Sequence, residues 1–202
     1  MNACTEKRLI LASASPRRRE ILDTAGYRFS VISPEAEEYK DGSDGRLLAV
    51  ENSRLKAEAA EKYGDGVYIC ADTVVLLDDI ILGKPHTPSR AREMLTALSG
   101  REHSVVTGYT VTDKSKRVSG YTETRVVFRD LTEDEILRYI ETGDPLDKAG
   151  AYGIQGAAGC FVSSICGDYY TVVGLPLCKI SEILRDEFSI LPLQNTKKER
   201  TL

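Results

Sequence analysis

The sequence lacks the long apolar segments that would place the chain in a membrane or a secretory pathway. No apolar run in its 202 residues approaches the roughly 20 residues that a membrane-spanning helix requires. The N-terminal segment MNACTEKRLILAS has a basic pair, but its apolar stretch is shorter than that of a signal peptide. These absences predict a cytoplasmic protein with no membrane association.

Cysteine and histidine are also scarce. The five cysteines form no CxxC pair, and the only histidines are His86 and His103. This pattern argues against a disulfide framework, a structural zinc site and a histidine-rich metal cage. Any metal would therefore have to be a hard cation held by carboxylates and substrate phosphates. The cysteines are Cys4, Cys70, Cys160, Cys166 and Cys178.

Neither sign of charge dominates the sequence. The 27 basic and 31 acidic residues give a formal net charge of −4, which disfavours broad nucleic-acid binding but leaves room for a local basic patch. One basic cluster, Arg17–Arg19, lies near the N-terminus. A second, at residues 197–200, is expected to be part of a solvated tail that covers residues 189–202.

Hydrophobic periodicity predicts a single α/β domain over residues 1–202, with a mixed central sheet and flanking helices. Strand character is predicted for residues 8–13, 27–33, 67–83, 103–131 and 160–176, with a hairpin turn at Asp78–Asp79. Helices are predicted for residues 15–26, 47–64, 87–98, 132–142 and 177–188. The glycine-rich residues 143–159 are too irregular for either.

The first candidate site is the strand–SASPRRRE–helix segment. Ser15 suits an N-cap and Pro16 suits the first helical position, and a helix start attracts anions. Cations in a first turn oppose the helix dipole, so the arginines favour a bound anion there. The alternative is an ordinary helix start with solvent-facing arginines.

The second candidate is Asp72, in the strand-like segment ICADTVVLL. A carboxylate inside an apolar strand is costly to bury unless it is paired or binds a metal. It could bind a divalent cation or orient a water molecule. The alternative is a turn or bulge in which Asp72 caps backbone groups.

Two further segments carry polar side chains among small residues. Lys84, between Gly83 and Pro85, could reach a phosphate, and the segment DKAGAYGIQG presents polar groups at Asp147, Lys148 and Gln155. Each pattern is also compatible with a plain loop, as is the acidic pair Glu37–Glu38.

Together these motifs resemble the Maf family of nucleoside triphosphate pyrophosphatases. LILASASPRRREIL, ICADTVVLLDDIILGKP, LSGREHSVVTGYTV, DKAGAYGIQG and GDYYTVVGLP occur in order from about Leu9 to Leu184. The resemblance implies an α/β fold similar to inosine triphosphate pyrophosphatases, with two lobes around a cleft. It also implies a divalent cation, Mg²⁺ or Mn²⁺, and a homodimer.

The resemblance also implies roles for individual residues. Asp72 matches the catalytic base, and Glu38 matches a partner of the metal, although residues 36–38 fit the family's acidic segment only loosely. The positions that match phosphate-binding residues of the family are Ser13, Arg18, Lys56 and Lys84. The positions that match substrate-selecting residues are Arg17, Thr73 and Gln155. The AYGIQG form resembles the branch that acts on dTTP and UTP, and the Gln155 amide complements the uracil-type base edge.

The expected reaction is water attack on the α-phosphorus, releasing a nucleoside monophosphate and pyrophosphate. It requires the arginine cluster and Asp72 to line one common cleft. Two alternatives remain open: a non-catalytic regulator of cell division that binds nucleic acid or a partner, and a pyrophosphatase for purine or modified nucleotides.

Overall fold

A computed structural model describes residues 7–39, 42 and 44–192. Cys4 and the basic cluster at residues 197–200 lie outside these described residues, as does most of the expected tail. None of the described helices is long and apolar enough to cross a membrane.

Seven strands form one mixed sheet with the order β2-β1-β3-β5-β6-β7, and β4 also pairs with β3. The β1–β2 and β1–β3 pairs are parallel, and all other pairs are antiparallel. The strands are β1 (Leu9–Ala12), β2 (Ser30–Ile32), β3 (Val67–Leu77), β4 (Ile80–Leu82), β5 (Glu102–Thr112), β6 (Arg117–Phe128) and β7 (Val162–Cys166). The predicted mixed α/β fold is confirmed.

The described residues form six α-helices that flank the sheet: α1 (Pro16–Thr24), α2 (Gly45–Ala60), α3 (Pro88–Leu98), α4 (Glu133–Glu141), α5 (Tyr169–Val173) and α6 (Leu177–Phe188). The capping box at Thr132 is present, and Asp78 and Asp79 both have positive φ in the β3–β4 hairpin turn. Ser15 occupies the N-cap position of α1, but its side chain makes no capping hydrogen bond.

The prediction of strand character through residue 176 is wrong after Cys166. Residues Tyr169–Val173 form α5, although Tyr, Thr and Val favour strands. The Asp168 carboxylate accepts hydrogen bonds from the backbone amides of Tyr170 and Thr171, which satisfies free N–H groups at the helix start. A local cap therefore outweighs the strand propensity of this segment.

The odd-numbered residues of β3 share one face of the sheet and pack into two separate cores, one toward each end of the strand. Ile69 packs into a first core with Leu11 and Leu22, whereas Val75 packs into a second core with Leu95 and Phe128. Between these cores lies a row of paired threonines across three strands, Thr73, Thr107 and Thr122. The other face of β3 is covered by α2.

Candidate active site

The cleft lies where one edge of β3 is interrupted. β1 pairs with β3 at residues 67–69 and β4 pairs with it at residues 75–77. Within the described ranges, no strand pairs with residues 70–74 on this side. Asp72 and Thr73 occupy the gap, and both line a cavity of about 1180 Å³. Such a volume is ample for a small organic ligand.

Gly108 on β5 brings helix α2 close to this gap. It is the cross-strand partner of Asp72, and a Cβ at Gly108 would lie 2.2 Å from the backbone carbonyl carbon of Ala49. Only glycine allows such a close approach of helix and sheet. As a result, Asn52 and Lys56 on the following turns of α2 reach the Asp72 carboxylate.

Asp72 is ionised and held at both oxygens. Its Oδ1 lies 2.8 Å from Lys56 Nζ, and its Oδ2 accepts a hydrogen bond of 3.1 Å from Asn52 Nδ2. Burial alone would raise the pKa of Asp72, but Lys56, Arg18 and the Asn52 amide together hold the pKa below its ordinary value. The neighbouring Cys70 is different, because burial raises the pKa of its thiol to about 12 and makes it a poor nucleophile.

Lys56 connects Asp72 to the acidic segment, residues 36–39. Its ammonium group lies 2.9 Å from Glu38 Oε2 as well as 2.8 Å from Asp72 Oδ1. The Glu38 side chain is 45% exposed, whereas that of Asp72 is only 15% exposed. A single lysine therefore holds two carboxylates of the cleft within reach of one another.

These carboxylates suit a hard cation that is only partly held by protein. No group of three or more His, Cys, Asp or Glu side chains that could hold a metal occurs among the described residues. Mg²⁺ commonly binds through one or two carboxylates, retaining water and substrate phosphates as its other ligands. Asp72 and Glu38 match that donor set, and Lys56 offsets only one of their two negative charges.

Arg18 is a half-buried cation that makes no ion pair with a carboxylate in the described part of the chain, although the charge of Asp72 is near enough to act on it. Its guanidinium donates hydrogen bonds to Ser13 Oγ (3.2 Å), Thr73 Oγ1 (3.2 Å) and the Gly174 carbonyl (2.7 Å). Burial lowers the pKa of Arg18 from its ordinary value. Because a buried charge needs compensation, this site favours an anion in the cleft.

Three other predicted site residues line the same cleft with their polar groups uncommitted. Arg17, Lys84 and Gln155 make no hydrogen bond or ion pair with any residue that the structure describes, and all three face the cavity. Two of these are cations, and the third is an amide. The cleft can therefore offer unneutralised positive charge to an anion and a neutral hydrogen-bonding group to another part of the ligand.

The glycine-rich loop that carries Gln155 is anchored on both sides. Gly150 has a φ of 66°, and a Cβ there would lie 2.9 Å from the Val75 side chain, so the loop packs directly on β3. Lys148 Nζ lies 2.9 Å from Asp144 Oδ1 and 2.8 Å from Asp147 Oδ1. The charge of Lys148 is therefore used to hold the loop through these two ion pairs, and the loop is fixed in position on both sides.

All nine predicted site residues line one cavity: Ser13, Arg17, Arg18, Glu38, Lys56, Asp72, Thr73, Lys84 and Gln155. The expected common cleft is thus confirmed for Asp72 with Arg17 and Arg18, whereas Arg19 does not line it. The sequence analysis missed Asn52, which also lines the cavity. Its spacing of four residues from Lys56 places both on one face of a helix, and this signal was available.

An open mixed sheet with a cation-lined cleft at an interrupted strand edge defines an α/β protein built to bind a small anionic ligand. The family model described as Maf-like protein matches residues 8–187. The chain belongs to the Maf family.

Two named relatives and a solved structure are consistent with this assignment. A dTTP/UTP pyrophosphatase of Thermococcus gammatolerans is 49% identical over 183 residues, covering 91% of this chain and 98% of the relative. A dTTP/UTP pyrophosphatase of Photorhabdus laumondii is 42% identical, covering 92% and 96% of the two chains. The structure of a HAM1 protein from Coxiella burnetii superposes with a TM-score of 0.51 at 18% identity, covering 88% of this chain and 98% of that one. This last similarity concerns the fold alone.

Proposed function

We propose that this protein hydrolyses dTTP and UTP to the nucleoside monophosphate and pyrophosphate. The observation that carries the proposal is the shared cleft, in which the half-buried Asp72 carboxylate and several cations that make no ion pair with any described residue face the same cavity. The relatives that are 42–49% identical over nearly the whole chain bear the name of this activity.

The triphosphate is proposed to lie against the cationic side chains. Among the described residues, the side chains of Arg17 and Lys84 have no hydrogen-bond or ion-pair partner, and Arg18 forms no ion pair, so each gains a directly bonded charge partner when a phosphate binds. Arginine presents forked donors that match phosphate oxygens. Ser13 Oγ accepts from Arg18 and can also donate to a phosphate, and Lys56 adds positive charge beside Asp72.

The base is proposed to lie against the loop that carries Gln155. The Gln155 amide supplies one acceptor and two donor hydrogens, which complement the N3–H and O4 of uracil or thymine. Thr73 is assigned to substrate selection by the family resemblance, and its hydroxyl contacts both Arg18 and Thr107. A purine-only substrate profile would contradict this arrangement.

Asp72 is proposed to orient a water molecule for in-line attack and to accept its proton. A bond forms between the water oxygen and the α-phosphorus, the bond from the α-phosphorus to the bridging oxygen breaks, and pyrophosphate leaves with the electron pair. The cations of the cleft stabilise the charge on that leaving group. Asp72 is available for this role because its pKa lies below the ordinary value.

A divalent cation, Mg²⁺ or Mn²⁺, is proposed to bind through Asp72 and Glu38. When bound, it would neutralise phosphate charge and polarise the phosphoryl oxygens. The donor set supports this proposal, since two carboxylates lie close to the same lysine ammonium.

Two further properties are proposed, a cytoplasmic location and a homodimeric assembly. A cytoplasmic location suits the free cysteines at positions 70, 160, 166 and 178, since thiols persist in a reducing compartment. A homodimer follows from the family resemblance, and light scattering of the purified protein tests it.

Pyrophosphate release measured over a panel of normal and modified nucleoside triphosphates tests the activity. Each reaction is run with Mg²⁺, with Mn²⁺ and with a chelator. Release from dTTP and UTP that depends on the cation is the expected result. Salt-dependent DNA binding without any pyrophosphate release would instead favour the non-catalytic regulator.

A further inference from the structure

Asn52 is a buried amide that contacts two parts of the active site. The residue is 3% exposed and lies on α2. Its Oδ1 accepts a hydrogen bond of 2.8 Å from the Tyr39 backbone amide, and its Nδ2 donates to the Tyr39 carbonyl at 3.0 Å. The same Nδ2 donates to Asp72 Oδ2 at 3.1 Å. The side chain thus connects the acidic segment, residues 36–39, to the proposed catalytic carboxylate.

The orientation of this amide is fixed by its partners. Tyr39 N–H can only donate, so the amide oxygen must face it, and both remaining neighbours are oxygens that can only accept. A flipped amide would break all three contacts. Since the amide is buried, each broken contact would leave an unsatisfied polar group.

These contacts close a ring around the reaction centre. Asp72 contacts Lys56, Lys56 contacts Glu38, and Glu38 adjoins Tyr39, whose backbone returns through Asn52 to Asp72. Lys56 is one link in this ring, but we have proposed that it also faces the triphosphate. Asn52 is the link whose donors and acceptor are wholly committed to the protein.

We propose that Asn52 is a positioning residue, which holds Asp72 and the acidic segment in the geometry required for hydrolysis. The proposal rests on the proposed pyrophosphatase activity. Asn52 acts through Asp72 and Tyr39, and the amide has no free donor left for substrate. Its loss should therefore lower kcat and leave KM for the nucleotide nearly unchanged.

Asn52→Leu removes all three hydrogen bonds and keeps the branching and the number of heavy atoms of the side chain. Loss of such an indirect contact typically lowers activity roughly 10- to 100-fold, which is the fall in kcat that we expect. Ser53→Ala is the matched control. Ser53 lies one position further along α2, is also fully buried, and makes hydrogen bonds to Val50 and Thr110 but none to the site. This control should retain kcat within about twofold.

A second measurement needs neither nucleotide nor metal. Amide hydrogen exchange of Tyr39, followed by NMR in the free protein, should be roughly tenfold faster in Asn52→Leu than in the wild type. The rate should be unchanged in Ser53→Ala. If the wild type releases no pyrophosphate, the proposed function fails, whereas this exchange measurement still tests whether Asn52 holds the acidic segment.

Asn52→Asp covers the case in which the leucine variant does not fold. The new carboxylate has nearly the same shape, but it cannot donate to Tyr39 or Asp72, and it adds a second negative charge beside Asp72. A fall in kcat of at least tenfold in this variant supports the proposal; its carboxylate can still accept from the Tyr39 amide, so the exchange test applies to Asn52→Leu alone. A folded Asn52→Leu or Asn52→Asp variant with kcat within twofold of wild type, unchanged Tyr39 exchange in Asn52→Leu, or an equal loss in Ser53→Ala overturns it.

Discussion

Replacing Asp72 with asparagine removes one negative charge from the cleft and changes its shape very little. The variant loses the proton acceptor proposed for the attacking water, and general-base catalysis typically contributes about 10²- to 10⁴-fold. That factor corresponds to about 3–5 kcal/mol in the activation barrier. We therefore expect kcat for dTTP to fall by at least about 100-fold at saturating Mg²⁺, measured as pyrophosphate release.

The fold should survive this replacement. Lys56 keeps a carboxylate partner, because Glu38 Oε2 lies 2.9 Å from its ammonium group. The new side-chain amide has one oxygen where the carboxylate had two, so its NH2 group can come to face the Nδ2 donor of Asn52. The free-energy cost of burying a charge at position 72 disappears at the same time. We expect the free energy of unfolding, measured in urea, to change by less than about 2 kcal/mol.

Asp79→Asn is the matched control for the Asp72 variant. Asp79 lies in the turn that follows β3, its side chain is 85% exposed, and its φ is 64°. Asparagine tolerates this left-handed conformation, so the control should keep full activity and stability. An Asp72→Asn enzyme that is folded and retains turnover within threefold of wild type would refute the assignment of Asp72.

Three other predictions concern single side chains. Arg17→Ala should lower kcat/KM for dTTP by about 10- to 100-fold, because a charge-assisted hydrogen bond contributes about 1.5–3 kcal/mol. Arg19 lies outside the cleft, so Arg19→Ala should leave kcat/KM unchanged. Gln155→Glu should reduce dTTP turnover, because a carboxylate cannot donate to the base, and full turnover would argue against the proposed base contact. Burial lowers the pKa of His103 from 6.5 to about 4, so the unfolded chain binds its proton more readily. Between pH 7 and pH 5 wild type should thus lose roughly 2 kcal/mol more stability in urea titrations than His103→Gln, and equal losses would contradict this.

The sequence predicted those features of the fold that depend on short segments. The helix at Pro88–Leu98, the hairpin turn at Asp78–Asp79 and the capping box at Thr132 all have local signals and are all present. Where two local signals competed, the prediction failed. At Tyr169–Val173, strand propensity suggested a strand, but the Asp168 cap produces a helix.

The motifs also predicted which residues line the cleft, but not how they contact one another. Asp72 contacts α2 because Gly108 is its cross-strand neighbour and leaves room for the helix. The register between β3 and β5 determines that pairing. Register between β3 and β5 arises from pairing along both strands and is not contained in any one motif. The four-residue spacing of Asn52 from Lys56 places both on one face of α2, but the contact of Asn52 with Asp72 depends on the same strand register.

The strands that carry the site also join the two hydrophobic cores. β3 and β5 stay paired from Tyr68 to Leu76, past the row formed by Thr73, Thr107 and Thr122. The two halves of the protein are thus connected by continuous sheet and not by a flexible linker. A change of substrate to a larger or smaller base should therefore require changes in the loops at residues 36–39 and 147–155. The distances between the site residues on the strands should stay the same.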